Sequence, residues 1–308
     1  MTSAQDLDII GSNLSATFPQ LSNIEPLHVL GVGFRSIVVE TNNSIVFRIG
    51  KNQDAANGYA KEARLLPYLR SRVPVAVPNP RWYADSSDRF PFGVMGYHTL
   101  PGAPLQPTHL AQADLSRLAS DIAAFLLALH RIPVDEALAL GLAGPADHIA
   151  QLEALRNDVL PPLRATLPSQ DYDAVRQWWD RFLGDKTMRQ YTPVLQHGDF
   201  WYGNMLVDKT LVSLALVGVI DVEHAAVGDP AQDFATQLHL GAAFAARVLD
   251  AYHTVGGVLD ATFEYRTRRL WELRPFDGLG FAVKHADPME FEDAVRKLRG
   301  GPILTQGG

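Results

Sequence analysis

The segment His197-Gly-Asp-Phe-Trp-Tyr-Gly-Asn204 ends directly before a short apolar run, and it carries Asp199 near its start and Asn204 at its end. A second apolar run, Leu214–Ile220, is followed at once by Asp221. If the two runs pair as a β-hairpin, Asn204 and Asp221 lie close together at one end of it. Burial of a carboxylate without a partner is costly. The three oxygen-bearing side chains therefore predict a cation-binding site at the end of this hairpin.

The donor types indicate which cation and which chemistry. Carboxylate and carboxamide oxygens suit Mg²⁺, which keeps several water ligands and also accepts phosphate oxygens. Asn204 and Asp221 are the predicted metal ligands. Asp199 lies further from the metal and is free to accept a proton from an attacking hydroxyl. His-Gly-Asp or Gly-Asp-Pro alone is a common turn, so the functional interpretation rests on the combination.

Composition excludes several other classes of protein. The chain has 308 residues, no cysteine, 47% hydrophobic residues and a formal net charge of −7. At roughly 150 residues per domain, this length predicts about two domains or one large fold. The apolar content excludes a disordered chain. The absence of cysteine excludes disulfides, thiolate metal sites and cysteine nucleophiles, and it is compatible with a reducing cytoplasm.

Localisation and partners follow from the same counts. The longest uncharged run, between Arg89 and Asp114, contains four prolines, a density that a membrane helix would not tolerate. The N-terminus shows neither the basic nor the apolar region of a signal peptide. The negative net charge argues against a nucleic-acid partner. We expect a cytoplasmic protein with no membrane or nucleic-acid partner, as a monomer or weak dimer.

Hydrophobic patterning divides the chain near residue 100. The first part reads as short strands around one helix, with Asn42-Asn43 as a hairpin turn. Its predicted elements are strands at Leu27–Val29, Ile37–Glu40, Ser44–Ile49 and Phe92–Tyr97 and a helix at Ala55–Leu69, ended by the prolines at 74, 78 and 80. The second part predicts helices at 115–129, 147–165, 170–183, 232–252, 264–273 and 288–299. Such a two-lobe layout predicts a cleft between the lobes.

The motif His197-Gly-Asp199-x-x-x-x-Asn204, followed by Ile220-Asp221 and Gly228-Asp229-Pro230-x-x-Asp233, resembles the aminoglycoside phosphotransferase family of small-molecule kinases. The resemblance implies an α+β, bilobal, protein-kinase-like fold. It divides the chain into a small β-rich N-lobe over 1–97, a hinge over 98–105 and a larger, mainly helical C-lobe over 106–308.

The resemblance also assigns roles in the C-lobe. It implies that Asp199 is the catalytic base and that Asn204 and Asp221 are the Mg²⁺ ligands. The acids Asp229 and Asp233, with His197, match positions that brace the catalytic loop, and we interpret them as structural.

Two N-lobe features fit the same family. Gly31-Val-Gly33-Phe-Arg-Ser36 lies where a kinase has its phosphate-covering loop, although it ends in serine and a structural turn would look similar. Arg48 stands where the family has a phosphate-binding lysine, and it can bind phosphate through two donors. The alternative for Arg48 is an exposed strand position, with Lys51 then supplying the cation.

Two further segments complete the predicted nucleotide site. Glu62, on the N-lobe helix, falls where a glutamate should pair with the cation at Arg48; the alternative is a solvated helix face. The connector Met95-Gly-Tyr97-His98-Thr-Leu100 resembles the interlobe hinge, where backbone groups near His98 and Leu100 would meet the purine and Tyr97 would pack beside them.

The acceptor is less well determined. Glu223, Trp271 and Glu272 are candidate acceptor-binding residues, with core packing as the alternative for Trp271. Phe234–Ala246 contains no acid, although a polycationic acceptor needs several carboxylates.

We expect Mg²⁺-dependent transfer of the γ-phosphate of ATP or GTP to a hydroxyl of an antibiotic of the aminoglycoside or macrolide type, and hence antibiotic resistance. One alternative is a metabolite kinase of the same fold, acting on homoserine, choline or a thio-sugar. The other is a nucleotide-binding pseudokinase that acts as a regulator.

Overall fold

The computed structural model describes residues 4–21, 24–111, 115–209 and 213–305. The N-terminal lobe is built on an antiparallel five-stranded sheet with the strand order β1-β2-β3-β5-β4. The strands are β1 (His28–Val32), β2 (Ser36–Glu40), β3 (Ile45–Gly50), β4 (Trp82–Ala84) and β5 (Val94–His98), and two helices flank them, α1 (Ala4–Thr17) and α2 (Gln53–Leu69).

The predicted strands and the predicted helix of this lobe are present. In the β2–β3 hairpin, Ser44 adopts a left-handed conformation with φ of 54°, as a tight turn requires. Helix α2 begins after Asn52, whose side chain accepts a hydrogen bond from the Ala55 amide, so Asn52 acts as an N-cap. Its last turn contains Pro67 and it ends at Leu69, before the prolines that were predicted to end it.

Helix α1 was not predicted. Its inner face buries Ile10 and Leu14, and Phe18 follows just beyond its end, at four-residue spacing. These side chains pack with Phe47 of β3 in one apolar cluster. The spacing was available in the sequence as the signal of an amphipathic helix.

The C-terminal lobe is mainly helical and carries the larger apolar core. Its helices are α3 (Ser116–His130), α4 (Val134–Ala139), α5 (Pro145–Thr166), α6 (Ser169–Gly184), α7 (Ala231–Ala235), α8 (Ala242–Thr254), α9 (Phe263–His285), α10 (Pro288–Gly300) and α11 (Pro302–Thr305). Its strands are β6 (Ala103–Pro104), β7 (Val194–Gln196), β8 (Met205–Lys209), β9 (Leu214–Val219) and β10 (Ala226–Gly228). Together the lobes confirm the predicted fold class.

Two predictions about C-lobe helices were wrong. The helix predicted over 232–252 is divided into α7, a 3₁₀ turn at Thr236–Leu240 and α8. The break occurs at Gly241, whose φ is 94°, a backbone conformation that a helix cannot contain. The helix predicted over 264–273 instead continues through Pro275 to His285. Burial of Phe276 and Leu279 stabilises this continuation against the hydrogen bond that proline removes.

The hairpin that decides the site is present in the predicted arrangement. Strands β8 and β9 pair antiparallel, with Met205 opposite Val219. The pairing extends one step further, where the Ile220 amide donates to the Asn204 carbonyl at 3.0 Å. The predicted turn over 208–210 falls partly within β8, and Thr210 lies outside the described residues. Among the described helices, none has the length and apolar character to cross a membrane.

Candidate active site

Asn204 and Asp221 lie at the same end of the β8–β9 hairpin. The buried Asn204 donates from Nδ2 to the backbone carbonyl of Asp199 at 2.9 Å. The backbone of Asp221 is held in the left-handed region, with φ of 65° and ψ of 59°. Its side chain is 35% exposed to solvent. A non-glycine residue in that conformation is strained, so the surrounding contacts must hold it there.

The loop that carries Asp199 is fixed from below by Asp233. The two Asp233 carboxylate oxygens accept hydrogen bonds from the amides of His197 and Gly198, each at 2.9 Å. Gly198 has a φ of 84° and lies so close to His224 that an added Cβ would be 2.3 Å from the His224 carbonyl oxygen. Only glycine fits that position. The loop conformation therefore sets the direction of the Asp199 side chain.

His197 and Asp229 make structural contacts. His197 is buried, and its Nε2 lies 3.1 Å from the Ile220 carbonyl, so the tautomer protonated at Nε2 donates there. Asp229 accepts from Nε and Nη2 of the fully buried Arg266 at 2.7 and 3.1 Å. Arg266 also donates to Asp260 at 2.8 Å. These contacts tie the segment after the hairpin to α9.

Arg274 of α9 contacts Asp199 and was missed by the sequence reasoning. Its Nη2 donates to Asp199 Oδ1 at 2.7 Å, and its Nη1 donates to Asp277 Oδ2 at 3.2 Å. The Asp199 side chain is 23% exposed. No sequence motif surrounds Arg274, and the tertiary packing of α9 brings it to Asp199.

Arg48 joins the N-lobe to the hairpin end. Its Nη1 donates to Glu62 at 2.6 Å, and its Nη2 donates to Asp221 at 2.9 Å and to Glu223 at 3.3 Å. The structure therefore brings Arg48 and Glu62 together as predicted. Lys51, the alternative cation, is exposed and donates to the Gly33 carbonyl.

Burial and charge act in opposite directions on this cluster. Burial raises the pKa of the fully buried Glu62 to about 7, although Arg48 favours its ionised form. Burial would also raise the pKa of Asp221, but the charges of Arg48, His224 and His197 outweigh it and lower that pKa. Asp221 is thus kept ionised, as a ligand for a cation must be.

Glu223 is held by two arginines, Arg48 of β3 and Arg35 of the glycine-containing turn between β1 and β2. Besides Arg48, it accepts from Arg35 of the glycine-containing turn at 2.9 Å. An added Cβ on Gly58 of α2 would lie 2.8 Å from Glu223 Oε2 and 3.2 Å from its Cβ, so glycine at this helix position allows the close approach. Arg35 and Arg48 thus hold the Glu223 carboxylate beneath the turn, and its assignment as an acceptor-binding residue stays a prediction.

The glycine-containing turn connects β1 and β2. The Gly33 amide donates to the Ser36 carbonyl at 2.9 Å. The Ser36 hydroxyl lies 2.6 Å from the Tyr59 hydroxyl in a buried contact. An added Cβ on Gly31 would meet no atom within 4 Å. Packing inside the protein therefore does not explain glycine at position 31, whereas close approach of a ligand to the backbone would.

The predicted hinge follows β5. Tyr97 is buried, whereas His98 is exposed and its ring lies edge-on to Trp82 at 5.2 Å. The Thr99 amide donates to the Ser44 carbonyl at 2.8 Å. Leu100 is half-buried. The side chain of His98 thus packs on the sheet and leaves the backbone of this segment as its candidate ligand-binding part.

Trp271 and Glu272 point in different directions from α9. Trp271 lies edge-on to His239 at 4.6 Å, and it shares a helix face with Arg274. Glu272 accepts from the Trp178 indole at 2.7 Å and also contacts Arg269. The structure therefore brings Trp271 to the side of Arg274 and directs Glu272 to α6. It does not bring the two side chains together, and their roles in acceptor binding stay predictions.

The donor set can be tested for its fit to Mg²⁺. Within the described ranges, no group of three His, Cys, Asp or Glu side chains is placed to hold a metal ion. The hairpin end offers one ionised carboxylate, Asp221, and one carboxamide, Asn204. These donors fit an ion that takes its remaining ligands from water and phosphate oxygens.

Comparison with known proteins shows a consistent set of relatives. Residues 26–271 match the model of the phosphotransferase enzyme family, APH. The solved complex of APH(2″)-IIIa with GDP and kanamycin is 24% identical, with a TM-score of 0.84 over 97% of this chain and 99% of that one.

Two macrolide enzymes have the same fold. Macrolide 2′-phosphotransferase type I is 22% identical, with a TM-score of 0.73 over 96% of this chain and 97% of that one. The macrolide 2′-phosphotransferase MphH from Brachybacterium faecium is 23% identical, with a TM-score of 0.66 over 92% of each chain.

Proposed function

Because the chain belongs to the APH family of phosphotransferases, we propose that it transfers the γ-phosphate of ATP or GTP to a hydroxyl of a small molecule, with Mg²⁺ as the metal. One observation carries the proposal. A rigid loop presents Asp199 beside the end of the hairpin that holds Asn204 and Asp221, and a buried arginine of the other lobe contacts that same end.

Asp199 is the proposed general base. Its carboxylate is partly exposed, and its backbone is fixed through Asp233 and Asn204. A fixed carboxylate can accept the proton of an acceptor hydroxyl and orient that hydroxyl for in-line attack on the γ-phosphate. Most of the catalysis in this reaction class comes from such positioning and from charge stabilisation.

Arg48 and the glycine-containing turn are proposed to hold the triphosphate. Gly31 and Gly33 allow its close approach to the backbone, Ser36 ends the turn, and the segment from His98 to Leu100 is proposed to meet the base. Glu62 keeps the guanidinium of Arg48 oriented. Asn204 and Asp221 would hold Mg²⁺, which neutralises the charge of the phosphates when it is bound.

The proposed acceptor is an antibiotic with a phosphorylatable hydroxyl. Support comes from the relatives, which include a kanamycin complex and two macrolide phosphotransferases. A metabolite kinase is the second candidate. The observation that favours it is the acid-free stretch 234–246, because an aminoglycoside, as a polycation, needs several carboxylates.

The test is nucleotide consumption with a panel of acceptors. Purified protein with Mg·ATP or Mg·GTP should consume nucleotide with at least one of kanamycin, erythromycin, homoserine or choline, and the product should carry one phosphate by mass spectrometry. Tight nucleotide binding with no consumption for any acceptor would favour the regulator over the enzyme.

A further inference from the structure

The guanidinium of Arg274 occupies the side of Asp199 that faces α9. It bridges the carboxylates of Asp199 and Asp277 through two different nitrogens. The Arg274 side chain is 22% exposed, while its Nε–H is buried and has no hydrogen-bond partner in the structure. One donor of this guanidinium is thus unsatisfied, and two others are shared with acids that neutralise its charge.

The other acids of α7 and α9 contact other groups. Asp233 of α7 is fully buried beneath the Asp199 loop. On α9, Glu272 contacts Trp178 and Arg269, and Glu264 lies about ten residues away, at the exposed first turn of the helix. Asp199 and Asp277 are the acids that contact the Arg274 guanidinium directly.

Aromatic side chains line the same side of the helix. His239 lies 4.6 Å from Trp271, 6.2 Å from Trp201 and 6.3 Å from Tyr202, measured between ring centroids. Burial, followed by the charge of Arg274, lowers the pKa of His239, so this ring is neutral at pH 7. Aromatic faces of this kind bind the apolar face of a ring compound.

We propose that Arg274 is a specificity-determining residue: it forms an oxyanion-binding subsite beside Asp199, so that the preferred acceptor is a hydroxylated ring compound with a carboxylate or phosphate group. This inference rests on the proposed function. The anionic group of the acceptor takes the place of Asp199 on the guanidinium. Asp199 is then free to accept the hydroxyl proton, and a polycation gains less at this position because the guanidinium already pairs with the two carboxylates that would otherwise attract it.

The experiment compares matched ligands and matched variants. Glucose, glucuronate and kanamycin are titrated calorimetrically into protein saturated with Mg·ADP. The variants are Arg274→Gln and, as control, Arg269→Gln, which removes another partly buried arginine of α9 that pairs with a carboxylate away from Asp199. Circular dichroism establishes that both variants are folded.

Wild-type protein should bind glucuronate about tenfold or more tighter than glucose, as one charge-assisted hydrogen bond provides. Arg274→Gln should abolish that preference and bind kanamycin about tenfold or more tighter than wild type, because two carboxylates lose their counter-charge. Arg269→Gln should behave as wild type. Equal wild-type affinities for glucose and glucuronate, or an unchanged preference in Arg274→Gln, would overturn the proposal.

A second arm distinguishes the source of the oxyanion. The same variants are titrated with ADP and with a non-hydrolysable ATP analogue. If Arg274→Gln weakens binding of the analogue alone and leaves the glucuronate preference intact, the oxyanion belongs to the nucleotide and the acceptor subsite is refuted. An anion preference without phosphate transfer to any acceptor would refute the proposed function, whereas transfer without an anion preference would refute this inference alone.

Discussion

Replacement of Arg48 by methionine should destabilise the protein strongly, because the loss falls on a carboxylate without access to water. Glu62 is fully buried and accepts a hydrogen bond from Arg48 at 2.6 Å, and its second oxygen has no hydrogen-bond partner among the residues that the structure describes. Glu223 would keep Arg35, and Asp221 is 35% exposed and can be hydrated. The cost therefore arises mainly at Glu62.

Removal of one partner of a buried ion pair costs about 3–5 kcal/mol, and we expect a value in this range at pH 8. Glu62→Gln in the Arg48→Met background should recover about 2 kcal/mol, because it removes the unpaired charge. Arg117→Met is the control, since Arg117 is 60% exposed and lies 3.8 Å from Asp121; its loss should cost at most about 1 kcal/mol.

The pH dependence has a definite sign. Burial raises the pKa of Glu62 to about 7 even beside Arg48, and loss of Arg48 raises it further. The folded variant then keeps a proton that the unfolded chain releases, so its stability falls as pH rises, by at most about 1.4 kcal/mol per pH unit. Arg48→Met should be less destabilised at pH 6 than at pH 8, while the double variant should show no such difference.

The measurement is urea unfolding followed by tryptophan fluorescence, with variants compared by midpoint at equal m value. A cost for Arg48→Met below about 1 kcal/mol at pH 8, or no recovery on Glu62→Gln, would refute the reasoning, since a surface arginine behaves in that way.

Three further outcomes follow from the same structure. Gly198→Ala places a Cβ 2.3 Å from the His224 carbonyl oxygen at a φ of 84°. The substitution should lower the free energy of unfolding, measured in urea, by about 1–3 kcal/mol and should reduce turnover. Wild-type values for both would contradict the loop geometry. The hydrogen bond from Arg266, although opposed by burial, lowers the pKa of Asp260, so the stability that this contact contributes is present above about pH 4 and is lost as pH falls. Asp260→Asn should lower the urea-unfolding midpoint at pH 7 and make that midpoint less dependent on pH below 4. An unchanged pH dependence below 4 would contradict this. Chelation with EDTA should abolish nucleotide consumption, and added Mg²⁺ should restore it. The Asp221→Asn variant should need a Mg²⁺ concentration about tenfold or more higher than wild type for its half-maximal rate. An unaltered Mg²⁺ requirement would exclude Asp221 as a ligand.

The strands and the hairpin could be predicted because their signals are local. The β8–β9 hairpin is defined by the apolar run that ends at Asp221 and by the polar turn that precedes this run. The antiparallel register of the two strands then places Asn204 beside Asp221. Arg48 and Glu62 could be matched because each lies at a fixed place in a recognisable element. These predictions depend on neighbours along the chain.

The features that the sequence did not reveal depend on tertiary packing. Arg274 reaches Asp199 from 75 residues away, and no local pattern records that contact. Glu223 follows Asp221 closely in sequence, but its contacts with Arg35 and Arg48, far away along the chain, determine where its carboxylate lies. The glycine at position 241 was visible in the sequence, but its presence alone does not record that its φ is positive in the fold.

The role of Asp199 as general base is tested by measuring phosphate transfer by Asp199→Asn together with nucleotide binding. The variant should bind Mg·ATP or Mg·GTP within about twofold of wild type, since Asp199 is not proposed to hold the nucleotide. Its transfer to the acceptor identified in the panel should fall by about 10²–10⁴-fold, the contribution of a general base. Undiminished transfer by a correctly folded Asp199→Asn protein would contradict the account.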